Sequence, residues 1–190
     1  MTPVRIFVAI FPPPEIRESL LETARGLSAD RNIRWSRPEN VHLTLKFLGG
    51  VPEKNLDGVR GVLSHVCGRH GPFEAATSGF GAFPSARKAR VVWADVVEGR
   101  DALRALAEDL ESSLGSLGFD RETRRAFRPH VTLGRVHGRP VRLELAETGA
   151  RGLRFPVREV ILARSVLGEG GAAYSALATY PLSEGGDQRP

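Results

Sequence analysis

Two short segments of the sequence carry the same pattern of reactive side chains. His42 is followed two residues later by Thr44, and His130 is followed two residues later by Thr132. Residues i and i+2 of a β-strand point to the same face, so each histidine is predicted to lie beside its threonine. Two such strands, brought together, would present two imidazoles and two hydroxyls to one cleft.

This set of groups suits an in-line attack on a phosphodiester. Imidazole gains and loses a proton near neutral pH, so one ring could take a proton from the nucleophile while the other protonates the leaving oxygen. The threonine hydroxyls could donate hydrogen bonds to the non-bridging oxygens of the phosphate, where negative charge develops. Arg135 lies five residues after His130 and could make charge-assisted contacts with the same phosphate.

Two alternative roles for the histidines stay open on the residues alone. A lone His-x-Thr segment can be purely structural, although two matched copies favour chemistry. Histidines on neighbouring strands can also bind a metal ion. However, no His, Asp or Glu stands two or four residues after His42 or His130 to complete a set of ligands. We therefore predict neither a metal nor another cofactor.

The composition indicates a folded chain with an anionic partner. The chain has 190 residues, of which 41% are hydrophobic, which is enough for one domain or for two small lobes that share an interface. Lysine and arginine number 27 against 22 aspartates and glutamates, so the formal net charge is +5. This excess favours an anionic partner, and the phosphate backbone of nucleic acid is the commonest one.

The sequence also bears on where the protein is expected to work. Cys67 is the single cysteine, which excludes an intrachain disulfide and fits the reducing cytoplasm. The apolar run from Val4 to Phe11 is too short for a signal peptide and ends at three prolines. No segment approaches the length of a membrane span. We expect a cytoplasmic monomer with no membrane partner.

Hydrophobic periodicity predicts an α+β fold. The predicted helices are 15–27, 53–66 and 101–117, and the predicted strands are 4–10, 33–35, 41–48, 73–80, 89–97, 130–136, 155–167 and 174–182. Because several strands follow one another with no helix between them, largely antiparallel sheets are predicted. We expect one domain over residues 1–182 and a disordered polar tail over 183–190.

Three further segments have structural interpretations. Gly168-Glu169-Gly170-Gly171 lacks the lysine and the helix of a phosphate-binding loop and is predicted to be a hairpin turn. Phe47 would face away from His42 on a regular strand, so we expect it to pack in the core, and stacking on a base would require a bulge. Cys67 lies on the apolar stripe of a predicted helix and is expected to be structural.

Longer segments flank and connect the two motifs. They are Arg5-Ile6-Phe7-Val8-Ala9-Ile10, Trp35-Ser36-Arg37-Pro38-Glu39-Asn40-Val41-His42-Leu43-Thr44-Leu45-Lys46-Phe47-Leu48-Gly49, Gly79-Phe80-Gly81-Ala82-Phe83-Pro84, Phe127-Arg128-Pro129-His130-Val131-Thr132-Leu133-Gly134-Arg135-Val136 and the turn from Ser165 to Tyr174. In this order, they resemble the two-histidine phosphoesterases, and among these the RNA 2′,3′-cyclic phosphodiesterases, also called 2′–5′ RNA ligases. The resemblance covers nearly the whole chain.

The resemblance implies two pseudo-symmetric lobes with mainly antiparallel sheets, outer helices and an active-site cleft between the lobes. It implies metal-independent hydrolysis of RNA 2′,3′-cyclic phosphate ends to a 2′-phosphate. It also implies that the same site can join RNA ends reversibly, without ATP, through a 2′–5′ bond. Gly134 stands where the family often has a bulkier residue, a difference that concerns packing.

The family's roles carry over to the matching residues of this chain. His130 is expected to be the base that activates water, and His42 the acid that protonates the departing 3′ oxygen. The opposite assignment stays open because the motif is symmetric. Thr44 and Thr132 would hold the phosphate, with support from Arg135.

Arginine-rich segments are candidates for an RNA-facing rim. Arg128 lies two residues before His130 and is expected to bind substrate, either inside the cleft or by steering RNA towards it. The other members are Arg87, Lys88, Arg90, Arg121, Arg124 and Arg125. Such a rim would hold the RNA backbone without reading its sequence. A solvated basic loop is the alternative.

The expected partner is RNA with a 2′,3′-cyclic phosphate end, and tRNA fragments are one candidate. The first alternative is a phosphodiesterase that acts on small cyclic phosphates such as ADP-ribose 1″,2″-cyclic phosphate. The second is a non-catalytic module that binds RNA ends. The two titratable histidines argue against the second, because binding alone would not require them.

Overall fold

The computed structural model describes residues 3–28, 30–120, 126–145, 151–168 and 171–183. Within them, the strands are β1 (Val4–Ile10), β2 (Ile33–Trp35), β3 (Leu43–Val51), β4 (Phe73–Phe83), β5 (Val91–Glu98), β6 (His130–Val136), β7 (Arg151–Val157), β8 (Glu159–Gly168) and β9 (Gly171–Pro181). The helices are α1 (Pro14–Arg25), α2 (Leu56–Cys67) and α3 (Arg100–Gly115). The strand pairs are antiparallel, so the predicted α+β fold is confirmed.

The strand order divides one sheet into two halves that each carry one motif. The order is β7-β4-β5-β6-β3-β1-β8-β9, and β2 also pairs with β6. β6 closes the first half and contains His130 and Thr132, whereas β3 opens the second half directly after His42. The halves meet where Leu43 pairs with Val131. The expected two lobes are therefore two halves of a continuous sheet, and the motifs lie at their junction.

The helices and the sheet share the main hydrophobic core. Ile6, Val8 and Ile10 of β1 belong to this core, together with the buried residues of the three helices. Phe7 and Ala9 alternate with them and form a smaller cluster with Ala163. Because successive residues of a strand point to opposite faces, this smaller cluster lies on the face away from the helices.

A bulge in β3 interrupts the regular alternation of its side chains. Thr44 pairs with Ala9, but Lys46 pairs with Val8 on the next position of β1. Leu45 is therefore an extra residue, and the side chains after it change faces. A regular strand would place Lys46 on the face of His42 and Thr44, but the bulge turns it to the opposite face.

Lys46 points to the helical face and is buried there. Its Nζ donates hydrogen bonds to Glu111 Oε2 on α3 at 2.7 Å and to Asp120 O at 2.9 Å. Burying an ammonium group is costly unless it is paired and hydrogen-bonded, and these two partners offset that cost. Lys46 thus ties β3 to α3 and to the chain that follows it.

Most predicted elements are confirmed to within a few residues, and β6 begins and ends as predicted. The segment 155–167, predicted as one strand, is instead divided between two, since β7 ends at Val157 and β8 begins at Glu159. β7 pairs with β4 in one half of the sheet, and β8 pairs with β1 in the other. The buried side chains are Phe155 and Val157 and then, one position out of phase, Val160 and Leu162. The charged pair Arg158-Glu159 between them marks the crossing, which the prediction overlooked.

β8 and β9 pair as far as Gly168 opposite Gly171. This pairing agrees with the predicted hairpin, although Glu169 and Gly170 lie outside the described residues. The predicted tail also lies outside the described residues, except for Ser183.

Cys67 is buried at the end of α2, as its expected structural role requires. Burial raises the pKa of its thiol to about 12, so the thiol stays protonated and unreactive near neutral pH. In the part of the chain that the structure describes, no helix is long and apolar enough to cross a membrane.

Candidate active site

The register of β3 and β6 brings the two motifs together. Leu43 and Val131 pair in antiparallel orientation, and both are buried in the main core. One residue to either side of this pair, His42 lies opposite Thr132 and Thr44 lies opposite His130. All four of these side chains point to the face away from the helices.

A backbone hydrogen bond orients His42. Its Nδ1 donates to Asn40 O at 2.7 Å, because a carbonyl oxygen can only accept. The neutral ring therefore carries its lone pair on Nε2. The side chain of Asn40 donates from Nδ2 to Ala172 O at 2.8 Å, which ties the loop before His42 to the start of β9.

Aromatic side chains surround the imidazole of His42. The ring centroids of Phe7, Phe11 and Tyr174 lie 4.9, 5.3 and 5.1 Å from it. As a result, His42 is only 8% exposed. Tyr174, at the end of the turn that resembles the family, contacts this histidine edge-on.

A matching hydrogen bond orients His130. Its Nδ1 donates to Arg128 O at 2.7 Å, again two residues earlier in the chain. Its aromatic neighbours are Phe83 and Trp93, with ring centroids at 5.3 and 5.9 Å. Asp95 is its partner across the β5–β6 pair, so this carboxylate lies on the same face as the imidazole.

The bulge at Leu45 also moves Phe47 to the face of His42. Phe47 pairs with Phe7, and their ring centroids are 6.0 Å apart. Its side chain is 68% exposed. The prediction that Phe47 packs in the core is therefore wrong, because it assumed a strand without a bulge.

A second bulge follows the second motif in the same way. Thr132 pairs with Trp93, whereas Gly134 pairs with Val92, so Leu133 is the extra residue. Arg135 thereby comes to the face of Thr132. In both motifs, the fifth residue after the histidine reaches the site, and it is Phe47 in one half and Arg135 in the other.

The surroundings of His42 favour its neutral form. Burial lowers the pKa of His42 to about 4, and the charges of Arg135 and of protonated His130 act in the same direction. The hydrogen bond to Asn40 O acts in the opposite direction. An anionic phosphate between the rings would favour the protonated form again.

His130 differs from His42 in having a carboxylate beside it. Burial lowers the pKa of His130, and the charges of Arg128 and Arg135 add to this effect. The hydrogen bond to Arg128 O and the negative charge of Asp95 oppose it. Since Arg135 lowers the pKa of both histidines, its guanidinium acts on the whole site.

Arg128, the other arginine predicted to bind substrate, lies at the edge of the site. Its guanidinium carbon is 4.3 Å from the ring centroid of Trp93, and its Nη2 is 3.8 Å from Asp95 Oδ2. Arg87, Lys88 and Arg90 are exposed near the short turn after β4. The remaining arginines of the predicted rim, at positions 121, 124 and 125, lie outside the described residues.

Sequence reasoning did not single out Asn40 or Asp95. Asn40 could have been found, because it stands two residues before His42 as Arg128 stands two before His130. Asp95 reaches His130 only through the pairing of β5 with β6, and nothing in its own segment indicates that pairing.

The arrangement can move protons on both sides of a bound anion. Two imidazoles have Nε2 free of the backbone bonds that hold Nδ1, and two half-buried threonines and Arg135 can donate hydrogen bonds. Among the residues that the structure describes, no three His, Cys, Asp or Glu side chains lie close enough together to hold a metal ion.

Comparison with known proteins gives one family over most of the chain. The model of the family described as LigT like Phosphoesterase matches residues 10–93 and 95–174. An RNA 2′,3′-cyclic phosphodiesterase from Methanothermobacter thermautotrophicus is 34% identical over 94% of this chain and 99% of its own length. A protein of the same name from Thermus thermophilus is 32% identical over 94% of this chain and 90% of its own length.

Solved structures share the fold. The crystal structure of TT0787 from Thermus thermophilus matches with a TM-score of 0.83 and 30% identity, over 97% of this chain and 100% of that one. The crystal structure of Escherichia coli LigT complexed with 3′-AMP matches with a TM-score of 0.77 and 26% identity, over 95% and 99% of the two chains.

Proposed function

The chain belongs to the LigT-like phosphoesterase family, and we propose that it hydrolyses RNA ending in a 2′,3′-cyclic phosphate to RNA ending in a 2′-phosphate. The observation that carries this proposal is the register of β3 and β6, which sets His42 and Thr44 against Thr132 and His130. Relatives that span almost the whole chain bear the name RNA 2′,3′-cyclic phosphodiesterase, which supports the same reaction.

In the proposed reaction, water attacks phosphorus in line with its bond to the 3′ oxygen. His130 takes a proton from the water as the new P–O bond forms, and His42 gives a proton to the 3′ oxygen as the old bond breaks. The phosphate stays on the 2′ oxygen. The opposite assignment of acid and base would use the same geometry, because each ring presents Nε2.

Three side chains would stabilise the charge that develops on the non-bridging oxygens. Thr44 and Thr132 lie beside the opposite histidine and can donate from their hydroxyls. Arg135, turned to this face by the bulge at Leu133, can donate charge-assisted hydrogen bonds. Because the two imidazoles supply both proton transfers, we propose that the reaction needs no metal ion.

Two further residues suit contacts with the RNA beyond the phosphate. Phe47 presents an exposed ring on the same face, and nucleobases stack on such rings with little regard to sequence. Arg128 lies at the edge of the site, where its positive charge can attract the backbone of RNA.

The same site would also join RNA ends. A 5′ hydroxyl would replace water as the nucleophile, lose its proton to the same base and form a 2′–5′ bond while the 3′ oxygen leaves. No ATP is needed, because one phosphodiester bond replaces another. Concentrations of RNA ends decide between joining and hydrolysis.

We propose that the enzyme acts as a cytoplasmic monomer on RNA ends, with tRNA fragments as one candidate. Small cyclic phosphates such as ADP-ribose 1″,2″-cyclic phosphate are the second candidate substrate, because the acid and base groups require only a strained cyclic phosphate. The exposed ring of Phe47 and the net charge of +5 favour RNA.

The direct test is to incubate the protein, in excess EDTA, with a short RNA that carries a 2′,3′-cyclic phosphate, and to identify the terminal phosphate of the product. We expect a 2′-phosphate. His42→Ala and His130→Ala should each reduce kcat by at least about 100-fold, because each removes one of the two proton transfers.

His65→Ala is the matched control, because His65 is an exposed histidine on α2, and it should keep the wild-type rate. A 3′-phosphate product, or wild-type turnover by His42→Ala, would contradict the proposal. Activity that EDTA abolishes and one divalent ion restores would contradict the metal-free reaction.

A further inference from the structure

Asp95 lies beside His130 and makes the surroundings of this histidine unlike those of His42. It lies opposite His130 in the β5–β6 register. Its Oδ2 accepts a hydrogen bond from Arg100 Nη2 at 3.1 Å and lies 3.8 Å from Arg128 Nη2. Its Oδ1 is buried and has no hydrogen-bond partner among the described residues. Among the described residues, no carboxylate acts on the pKa of His42.

Arg128 connects Asp95 to the hydrogen bond that orients His130. The guanidinium of Arg128 lies near both the carboxylate of Asp95 and the ring of Trp93. The carbonyl of the same residue accepts the proton on His130 Nδ1. Arg128 therefore contacts Asp95 with its side chain and His130 with its carbonyl.

Stability alone does not account for Asp95. A buried carboxylate oxygen without a hydrogen-bond donor costs free energy, and a half-buried ion pair only partly offsets that cost. Glu98, on the same strand, is a carboxylate in an ordinary surface ion pair, because it pairs with the exposed Arg154 away from His130. A buried polar atom without a partner calls for an explanation, and a functional role beside His130 supplies one.

We propose that Asp95 is a positioning residue for His130, which fixes the orientation of its imidazole through Arg128 and supplies the negative charge that favours its protonated form. This inference rests on the proposed function. A carboxylate beside a histidine that acts as base stabilises the imidazolium that forms when the ring takes up a proton.

The groups that act on His130 are few enough for the effect of Asp95 to be measured. Arg128 and Arg135 oppose protonation, and Asp95 favours it. His42 faces the same cleft from the other half of the sheet. Replacing Asp95 by asparagine keeps the shape of the side chain, removes the one negative charge in this group and leaves the two arginines unopposed.

The test begins with NMR titration of the histidine rings in the wild-type protein, Asp95→Asn and Asp95→Glu. In Asp95→Asn, the titration midpoint of His130 should fall by about 0.5–1 pH unit, because the charge that favoured the imidazolium is gone. The midpoint of His42 should change less, because Asp95 reaches it only through the charge of His130, and Asp95→Glu should restore the midpoint of His130. Glu98→Gln is the matched control and should leave both unchanged.

Kinetics on the cyclic-phosphate RNA supply the second measurement. In Asp95→Asn, kcat should fall about tenfold while KM changes less than about twofold, and one limb of the pH–rate profile should move to lower pH. An unchanged His130 midpoint in folded Asp95→Asn, or an equal shift in Glu98→Gln, would overturn the proposal. If the wild-type protein does not hydrolyse this RNA, the proposed function fails, whereas the titration still decides the role of Asp95.

Discussion

His42 and His130 make the same backbone hydrogen bond, but their other neighbours differ. His42 lies among aromatic rings, whereas His130 has rings on one side and the Asp95 carboxylate on the same sheet face. This difference acts on the proton affinities of the two rings, because the carboxylate favours the protonated form of His130 and burial favours the neutral form of His42. The unequal neighbours thus distinguish two residues that the sequence presents as equivalent.

The exposed ring of Phe47 leads to a prediction about substrate binding. Phe47→Ala should raise KM for the cyclic-phosphate RNA by roughly 5- to 30-fold with little change in kcat, because stacking contributes about 1–2 kcal/mol per base. Steady-state kinetics measure both constants. Leu117→Ala removes another exposed apolar side chain and should leave KM unchanged. An equal rise in KM for a cyclic phosphate without a base would exclude stacking as the cause.

The sequence predicted which residues of the two motifs face one another, but not the side chains that surround the two histidines. The spacing of His42 from Thr44 and of His130 from Thr132 follows from strand geometry and is local. The pairing of His130 with Asp95 is not local, because it depends on which strands become neighbours. A local pattern carries no information about that choice.

Among the elements, the paired bulges matter most for the site. Each bulge adds one residue directly after a motif, and each moves the following side chains to the other face. Without the bulge at Leu45, Phe47 would point into the core and Lys46 towards the cleft. The fold therefore uses the same irregularity twice to complete the site.

Strand β4 supports the second motif through the glycine at position 81. A Cβ atom there would lie 2.1 Å from the ring of Trp93, which packs between this strand and His130. Gly81→Ala should therefore displace Trp93, destabilise the protein by about 1–3 kcal/mol and lower kcat. Urea unfolding and steady-state kinetics provide the two measurements.

Gly61→Ala is the control for this substitution. Gly61 lies in α2 with open space around its Cβ position, so alanine there should stabilise the protein by up to about 1 kcal/mol and leave kcat unchanged. Wild-type stability and kcat in Gly81→Ala would show that Trp93 can move without affecting His130.

The helices and most strands could be predicted because their periodicity is strong, as in α3 and β6. The bulges could not be predicted from the sequence. The extra residue leaves the apolar pattern of Leu43 and Leu45 intact, so the bulge in β3 becomes visible only in its pairing with β1. The division of 155–167 was missed although the alternation shifts by one position at Arg158-Glu159, because a bulge within a single strand would give the same shift.

For the whole molecule, the burial of His42 predicts how stability depends on pH. The pKa of His42 is about 4 in the folded protein, below its usual value of 6.5. The unfolded chain therefore binds more protons between these values, and the free energy of unfolding falls as the pH falls through this range. The loss reaches about 3 kcal/mol at most, and denaturant titrations at pH 4 to 7.5 measure it.

His42→Leu should reduce this dependence on pH, because the variant has no imidazole to protonate in the unfolded state. His65→Ala, which removes an exposed histidine, should keep the wild-type dependence. A wild-type slope in His42→Leu would mean that other groups cause the loss of stability at low pH.

The equivalent positions of Phe47 and Arg135 have a consequence for the regioselectivity of the enzyme. A cleft with two-fold symmetry would accept the cyclic phosphate in either of two orientations, and would cleave either of its two ester bonds. The histidines and threonines alone cannot choose between them, because they are nearly interchangeable by a half-turn. The aromatic ring of Phe47 and the guanidinium of Arg135 are not interchangeable. In the proposed reaction, these two residues, which the bulges bring to the site, therefore select the ester bond that is cleaved.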